Sequence, residues 1–337
     1  MRIWQVAAPT GPAGLVLADR PDPTPGPRDV VVRTRAVSLN YRDLLVISGG
    51  YGRQAPPGTV PCSDAAGAVI QVGAEVSRVR VGDRVTSTFA PGWVSGSLTT
   101  SAARTALGLG TTGGVLADAF VLPEHAVVPV PEAFSDEEAA TLPCAALTAW
   151  HALFEEAPFA PGTTVLAMGT GGVSTFAAQF ALAAGGRVLA TSSRDEKLAR
   201  LAALGVRDTI NYVETPDWDE RARELTGGTG VDRVIEIGGE GTLDKSIRAV
   251  RPGGMISLIG VLAGSGHVAL GPVFLRNIRL QGVMVGSREM FERMNAALAV
   301  RPIAPVIDRI VGFDEAPAAF AHLAGRTHVG KVVIRVG

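Results

Sequence analysis

The stretch Met168-Gly169-Thr170-Gly171-Gly172-Val173-Ser174 carries the most specific chemistry in the chain. Its glycines allow a tight turn and let backbone amides come close to a bound pyrophosphate at the positive end of a following helix. Residues 163–168 read as a buried strand and 173–184 as a small-residue helix, so the turn stands where such a cradle must stand. Gly169, Thr170, Gly171, Gly172 and Val173 are the expected cradle residues. The third fingerprint position holds Ser174, a small residue that close helix–strand packing tolerates. Taken alone, the same glycines also fit an ordinary α/β turn.

The next strand, 187–191, runs into Ser192-Ser193-Arg194. A carboxylate there would hold the ribose hydroxyls of NAD and repel a 2′-phosphate; Arg and Lys attract one. Ser192, Arg194 and Lys197 therefore favour NADPH rather than NADH. Ser193-Arg194-Asp195-Glu196 also fits a capping box with Arg194 merely solvated, and the sequence leaves both readings open. The missing carboxylate weakens an S-adenosylmethionine methyltransferase as well. A short-chain dehydrogenase is weakened too, because none of Tyr41, Tyr51 and Tyr212 has Lys four residues later.

Further strands near 208–211, 231–237, 254–260 and 279–285, with helices between most of them, call for a doubly wound parallel sheet. Gly238 ends the fourth strand, and Ile259, Gly260 and Val261 end the fifth, so all four border the crevice at the sheet's carboxyl edge. Residues 1–125 instead read as short strands between turns, with prolines crowded at 21–27 and 56–61. The Gly/Ser/Thr-rich region 91–117 reads as a surface loop. Ser135-Asp136-Glu137-Glu138 fits a capping box that opens a helix.

With 337 residues, 47% of them hydrophobic, the chain has room for two domains, and 41 glycines against 5% aromatics suit an α/β protein. Acidic and basic residues are interspersed at a net charge of −1, which gives no footprint for nucleic acid. No apolar run reaches the roughly 20 residues that cross a bilayer. Cys62 and Cys144 alone make neither a disulfide framework nor a four-cysteine metal site. A cytoplasmic protein is expected.

These motifs join others: Ser38-Leu39-Asn40-Tyr41-Arg42-Asp43, Asp64-Ala65-Ala66-Gly67 leading to Gln71-Val72-Gly73, Val81-Gly82-Asp83-Arg84-Val85, Leu142-Pro143-Cys144-Ala145-Ala146-Leu147-Thr148-Ala149, Gly253-Gly254 and Gly330-Lys331-Val332-Val333. In that order they resemble the medium-chain dehydrogenase/reductase superfamily across nearly the whole chain, and within it the zinc-free quinone and enone reductases, whose closest marker is Asn40-Tyr41. The resemblance implies a GroES-like β-rich catalytic domain (1–145 and 286–337) plus a doubly wound parallel Rossmann domain (146–285). Zinc-dependent members have Cys where this chain has Asn40 and His where it has Ser63. Cys144 falls at the third ligand position, and one thiolate cannot make a catalytic zinc site. No metal is expected.

The resemblance further implies that the loop around Asn40 faces the nicotinamide, with Tyr41 the first choice for hydrogen-bond or proton donor and Tyr51 the second. Thr148 is expected on the nicotinamide side and Tyr212 near the adenosine phosphate. The last strand, 279–286, is expected to pair with its twin in a homodimer. The favoured activity is NADPH-dependent reduction of a quinone or an α,β-unsaturated carbonyl, with a small-molecule substrate and no nucleic-acid or membrane partner. An alcohol or ketone dehydrogenase, and a non-catalytic NADPH-binding or redox-sensing protein, stand as alternatives.

Overall fold

The computed structural model describes residues 1–50, 55–109, 112–260, 262 and 268–337. The chain divides into two units, Met1–Leu147 with Val285–Gly337, and Thr148–Met284.

The first unit is built on a seven-stranded sheet. Its order is Ile307–Gly312, Lys331–Arg335, Asp29–Leu39, Asp64–Val72, Arg84–Ser87 and Val127–Pro129, with Ala119–Pro123 also pairing Asp29–Leu39. The long Asp29–Leu39 strand lies at the centre because its β-branched residues are buried almost throughout. Its register with Asp64–Val72 slips between Thr34 and Ala36. Gly67 opposite Thr34 permits that slip, since a Cβ there would stand 2.0 Å from the Arg33 carbonyl oxygen. Val32, Leu39, Val85, Phe120, Phe320 and Ile334 share one buried cluster. Ser135 caps the turn Asp136–Ala139 in a reciprocal box with Glu138, as its sequence predicts.

Region 91–117 is not the surface loop that its composition suggests. Trp93, Leu107, Val115 and Leu116 are buried, and the helix Thr100–Ala103 is capped by Thr99. Isolated apolar residues among Gly, Ser and Thr show no period, yet each anchors the segment. Val115 N–H donates to Cys62 O and Leu116 N–H to Pro61 O. Gly114 lies directly under that stretch: an added Cβ would fall 2.2 Å from Pro61 O and 2.3 Å from Val60 O. The contact holds Cys62, which sits at φ 71°, a left-handed conformation that a residue with a Cβ rarely adopts.

The second unit is a six-stranded, wholly parallel sheet ordered Asp208–Asn211, Arg187–Ser192, Thr164–Met168, Val231–Glu236, Val250–Leu258, Arg279–Gly282. This is the doubly wound order, and strand sequence reverses between Thr164–Met168 and Val231–Glu236, where a ligand crevice forms at the carboxyl ends. Leu166, Leu189, Val234, Ile256, Trp218 and Ile247 fill its core. The last strand ends at Gly282, short of the expected 286. Val285, at φ 50°, has left the extended conformation.

Gly114→Ala should destabilise the protein by about 1–3 kcal/mol, because backbone carbonyls cannot yield to the new methyl group. Gly113→Ala meets no heavy atom within 4 Å and should stay within about 0.5 kcal/mol of the parent. Urea unfolding of the pair checks this, and equal losses would show that Gly114 does not brace the 60–62 segment.

Candidate active site

In the second unit the strand Thr164–Met168 ends at Gly169, whose φ of 73° makes the sharp turn. Gly171 then caps the helix Gly172–Ala183 with no side-chain cap of its own. An added Cβ at Gly171 would meet nothing within 4 Å. An uncapped helix N-terminus behind an open glycine turn fits a pyrophosphate. Ser174 is buried, and its hydroxyl donates to Met168 O at 2.5 Å. The serine at the third fingerprint position thus ties strand to helix. Thr170 is buried beside the turn, and Val173 is half-buried.

At the second strand's end, Ser192 is buried and Arg194 exposed. The capping box at Ser193 does not form: the cap of helix Asp195–Ala203 is Arg194, with no side-chain cap bond. Asp195 accepts instead from Asn211 Nδ2 at 2.9 Å. Tyr212 N–H donates to Ser192 O at 3.0 Å, which brings Tyr212 to the same edge with its side chain well exposed. Lys197 is half-buried one turn into the helix.

Glu236, at the end of the fourth strand, escaped the sequence reading. It is fully buried. Its Oε1 accepts from Gly238 N–H (2.7 Å), Gly239 N–H (3.0 Å) and Thr242 Oγ1 (2.7 Å), and Ser246 Oγ donates to Oε2. One carboxylate therefore shapes the turn containing Gly238. Gly260 packs against that turn, where a Cβ would lie 2.3 Å from Ile237 O. Ile259 N–H donates to Glu236 O at 2.9 Å. Val261 lies outside the described residues, as does Tyr51.

The first unit holds a buried polar cluster around Asn40. This residue precedes the helix Tyr41–Ile47, and its N–H donates to Asp43 Oδ2 at 2.8 Å. Asp43 is fully buried beside Arg42, 3.3 Å from Nη1, while Arg42 Nη2 donates to Leu107 O and the guanidinium lies over the Phe89 ring. Lys331 Nζ, also buried, donates to Leu39 O (2.6 Å) and Asn40 Oδ1 (2.5 Å). Asp64 accepts from Ser63 Oγ (2.6 Å) and from Cys144 N–H (3.0 Å), in the first turn of the π-helical segment Leu142–Ala146. Burial pushes the Asp64 carboxyl up, and the Lys331 ammonium, the Ser63 hydroxyl, the Asn40 amide and the Cys144 N–H oppose that push. Burial, with Asp64 nearby, pushes the Cys144 thiol well up. Tyr41 is half-buried at the start of the helix, and its hydroxyl oxygen accepts from Arg326 Nη2 at 3.2 Å. Thr148 is buried in the helical turn Leu147–Trp150.

Two recognised families match these two architectures. Residues 26–132 match the alcohol dehydrogenase GroES-like domain, and residues 172–300 match the zinc-binding dehydrogenase domain. A zinc-type alcohol dehydrogenase-like protein of Schizosaccharomyces pombe is 44% identical over 317 residues, which cover 92% of this chain and 91% of that protein. The chain belongs to the medium-chain dehydrogenase/reductase superfamily. A crystal structure of a putative alcohol dehydrogenase from Sinorhizobium meliloti 1021 superposes with a TM-score of 0.91 at 45% identity, covering 99% of this chain and 98% of that one. A quinone oxidoreductase of Pseudomonas aeruginosa is 34% identical over 262 residues, 77% of this chain and 73% of that protein. This medium-chain dehydrogenase/reductase is a nicotinamide-dependent oxidoreductase.

Some members of the superfamily hold a catalytic zinc, but the donors here suit one poorly. Zinc takes thiolate, imidazole or carboxylate, three of them in a catalytic site. At the corresponding positions Asn40 Oδ1 is occupied by an ammonium, the Ser63 hydroxyl points at Asp64, and Cys144 alone offers a zinc donor. Among the described residues no three His, Cys, Asp or Glu side chains stand together to hold a metal ion. Lys331 and Asp64 went unnoticed as site residues in the sequence because each sits in a family motif that reads as structural. A charge inside an apolar strand, as in Lys331-Val332-Val333-Ile334, was the available signal.

Burial raises Asp43 from its ordinary 3.8 to about 6, against the pull of Arg42. The native chain therefore holds a proton there that the unfolded chain has already lost. The stability this contributes is complete below the ordinary value and is lost as pH rises through about 6. Relative to Asp43→Asn, which cannot titrate, the parent should gain stability as pH falls from 7.5 to 5. Urea midpoints across that range test this, and a difference that grows with rising pH would contradict it.

Proposed function

We infer that this enzyme is a zinc-independent, NADPH-dependent reductase of quinones or α,β-unsaturated carbonyls. The observation that carries the cofactor half is the end of the second strand. No carboxylate ends that strand, and the exposed Arg194 side chain makes no hydrogen bond or ion pair among the described residues. A guanidinium left uncommitted beside Ser192 and Lys197 suits a 2′-phosphate. Residues 146–285 would hold the cofactor, with Gly169–Val173 at the pyrophosphate, Tyr212 at the adenosine side and Thr148 toward the nicotinamide, and with Gly238, Ile259, Gly260 and Val261 as further cofactor-binding residues. When bound, NADPH supplies the hydride.

The substrate half rests on what replaces a metal. Oxidising an alcohol requires its hydroxyl to lose a proton, a step that a metal assists by stabilising the anion. The residues at the ligand positions here offer a single thiol and no imidazole, short of the three ligands that a catalytic zinc takes. Quinones and enones accept hydride with only hydrogen-bond assistance, which Asn40 and Tyr41, with Tyr51 as second choice, would provide. Arg326 occupies a lone pair on the Tyr41 oxygen, which leaves the phenolic hydrogen available for donation. The name of the S. pombe relative favours the alcohol dehydrogenase reading, and the donor chemistry disfavours it. We place the enzyme in the cytoplasm, as a homodimer joined through Arg279–Gly282, the edge strand of its sheet.

A spectrophotometric screen tests the whole reading. NADPH should be consumed with quinones or enones, and neither ethanol nor acetone should support turnover. Arg194→Ala should weaken NADPH binding by about 1.5–3 kcal/mol, the worth of a charge-assisted contact, while sparing NADH. Equal losses for both cofactors would remove Arg194 from the phosphate. Tyr41→Phe should lower enone turnover without changing cofactor affinity, and an unchanged rate would shift the role to Tyr51 or to water.

A further inference from the structure

Lys331 places an ammonium within hydrogen-bond distance of the Asn40 amide. It is 3% exposed, on the closing strand Lys331–Arg335, and reaches back to the residue that precedes the helix Tyr41–Ile47. An ammonium can only donate hydrogen bonds. The atom 2.5 Å from Nζ must therefore be the amide oxygen, Oδ1. Chemistry alone fixes which way the Asn40 side chain faces, an orientation that a carboxamide's shape leaves undecided.

The consequence falls on the other end of the amide. Asn40 is 92% buried, taken from its 8% exposure, and its Nδ2 makes no hydrogen bond of normal geometry. Buried donors without acceptors are uncommon and call for an explanation. Asp64 stands on that side and accepts from the Ser63 hydroxyl and the Cys144 N–H, and each of its oxygens keeps a lone pair toward which one Nδ2 hydrogen can turn. An NH2 group carries two hydrogens, so even a loose approach to Asp64 leaves one for an incoming acceptor.

We propose that Lys331 is a positioning residue: it holds Oδ1 of Asn40 so that Nδ2 is presented as a fixed donor to the acceptor oxygen of the substrate. The ammonium thereby stands in for the metal's charge without touching substrate. It polarises the amide, strengthening the N–H as a donor where charge develops, and it balances the neighbouring Asp64. The substrate side of this proposal rests on the reductase reading above. The contact between Lys331 and Asn40 does not.

A double-mutant cycle separates the two. The parent, Lys331→Met, Asn40→Ala and the combined variant are compared by NADPH titration, by enone turnover and by urea unfolding. Each single change should lower kcat by roughly 10², as expected for loss of one preorganised donor, with the NADPH dissociation constant nearly unmoved. The combined variant should be no slower than the slower single variant, because both changes remove the same donor. Losses that multiply, or a parental kcat in Lys331→Met, would overturn the proposal. If Lys331→Met fails to fold, Asn40→Asp carries the test: it pairs with the ammonium and keeps the shape, but has no N–H to donate. Its kcat should fall by a similar factor with NADPH affinity nearly unmoved and with some loss of thermal stability, because the new carboxylate faces Asp64, and a parental kcat would overturn the proposal. A parent inactive on every quinone and enone sinks the substrate reading instead. The urea cycle still reads the contact in that case: coupled losses support it and additive losses overturn it.

Discussion

An ammonium group inside a protein must be balanced where it lies, and the Lys331 ammonium imposes that demand on the first unit. Removing an ion from water costs several kcal/mol even after the surroundings relax, so isolated buried charges do not persist. Here the balancing groups come from segments far apart in sequence. Leu39 and Asn40 supply oxygens, Asp64 supplies the opposite charge, and Asp64 in turn receives the Cys144 N–H. The closing strand, the central strand, the strand that opens at Asp64 and the segment Leu142–Ala146 are thereby drawn to one point. A second pair, Arg42 with Asp43, fixes the start of the helix after Asn40. Lone removal of any charge would leave another exposed to the same cost, which makes this cluster a stringent determinant of local geometry.

The second unit solves a different problem with neutral groups. Its cradle needs unencumbered amides at a helix start, so glycine and small hydroxyl residues replace side chains with bulk or charge. Ser174 anchors the helix to Met168 O, and Glu236 collects the amides of Gly238 and Gly239. Both turns are stiffened from behind, by groups that need not touch a ligand. Preorganisation of this sort spares the cofactor the cost of ordering the loops that receive it.

Much of this was legible in the residues themselves. The strand–glycine turn–helix pattern at 163–184 led directly to the parallel sheet, because alternating strands and helices permit few other arrangements. The family resemblance brought Asn40 and Cys144 together as ligand positions, but nothing in the spacing says that Asp64 and Lys331 join them, since strands of a mixed sheet bring them together only after folding. Region 91–117 misled for a related reason. Its buried Trp93, Leu107 and Leu116 follow no helical or strand period, and composition alone favoured solvent. The strand starting at Arg279 was drawn too long, because Val285 gives no warning of its left-handed turn.

The central claim is that a protein cation, and not a metal, stands behind Asn40. Elemental analysis of the enzyme produced in zinc-supplemented medium tests it most directly, combined with turnover before and after exhaustive chelation. The account predicts substoichiometric zinc and unchanged activity after chelation. One tightly held zinc per chain, with activity lost on its removal and restored on its return, would contradict it.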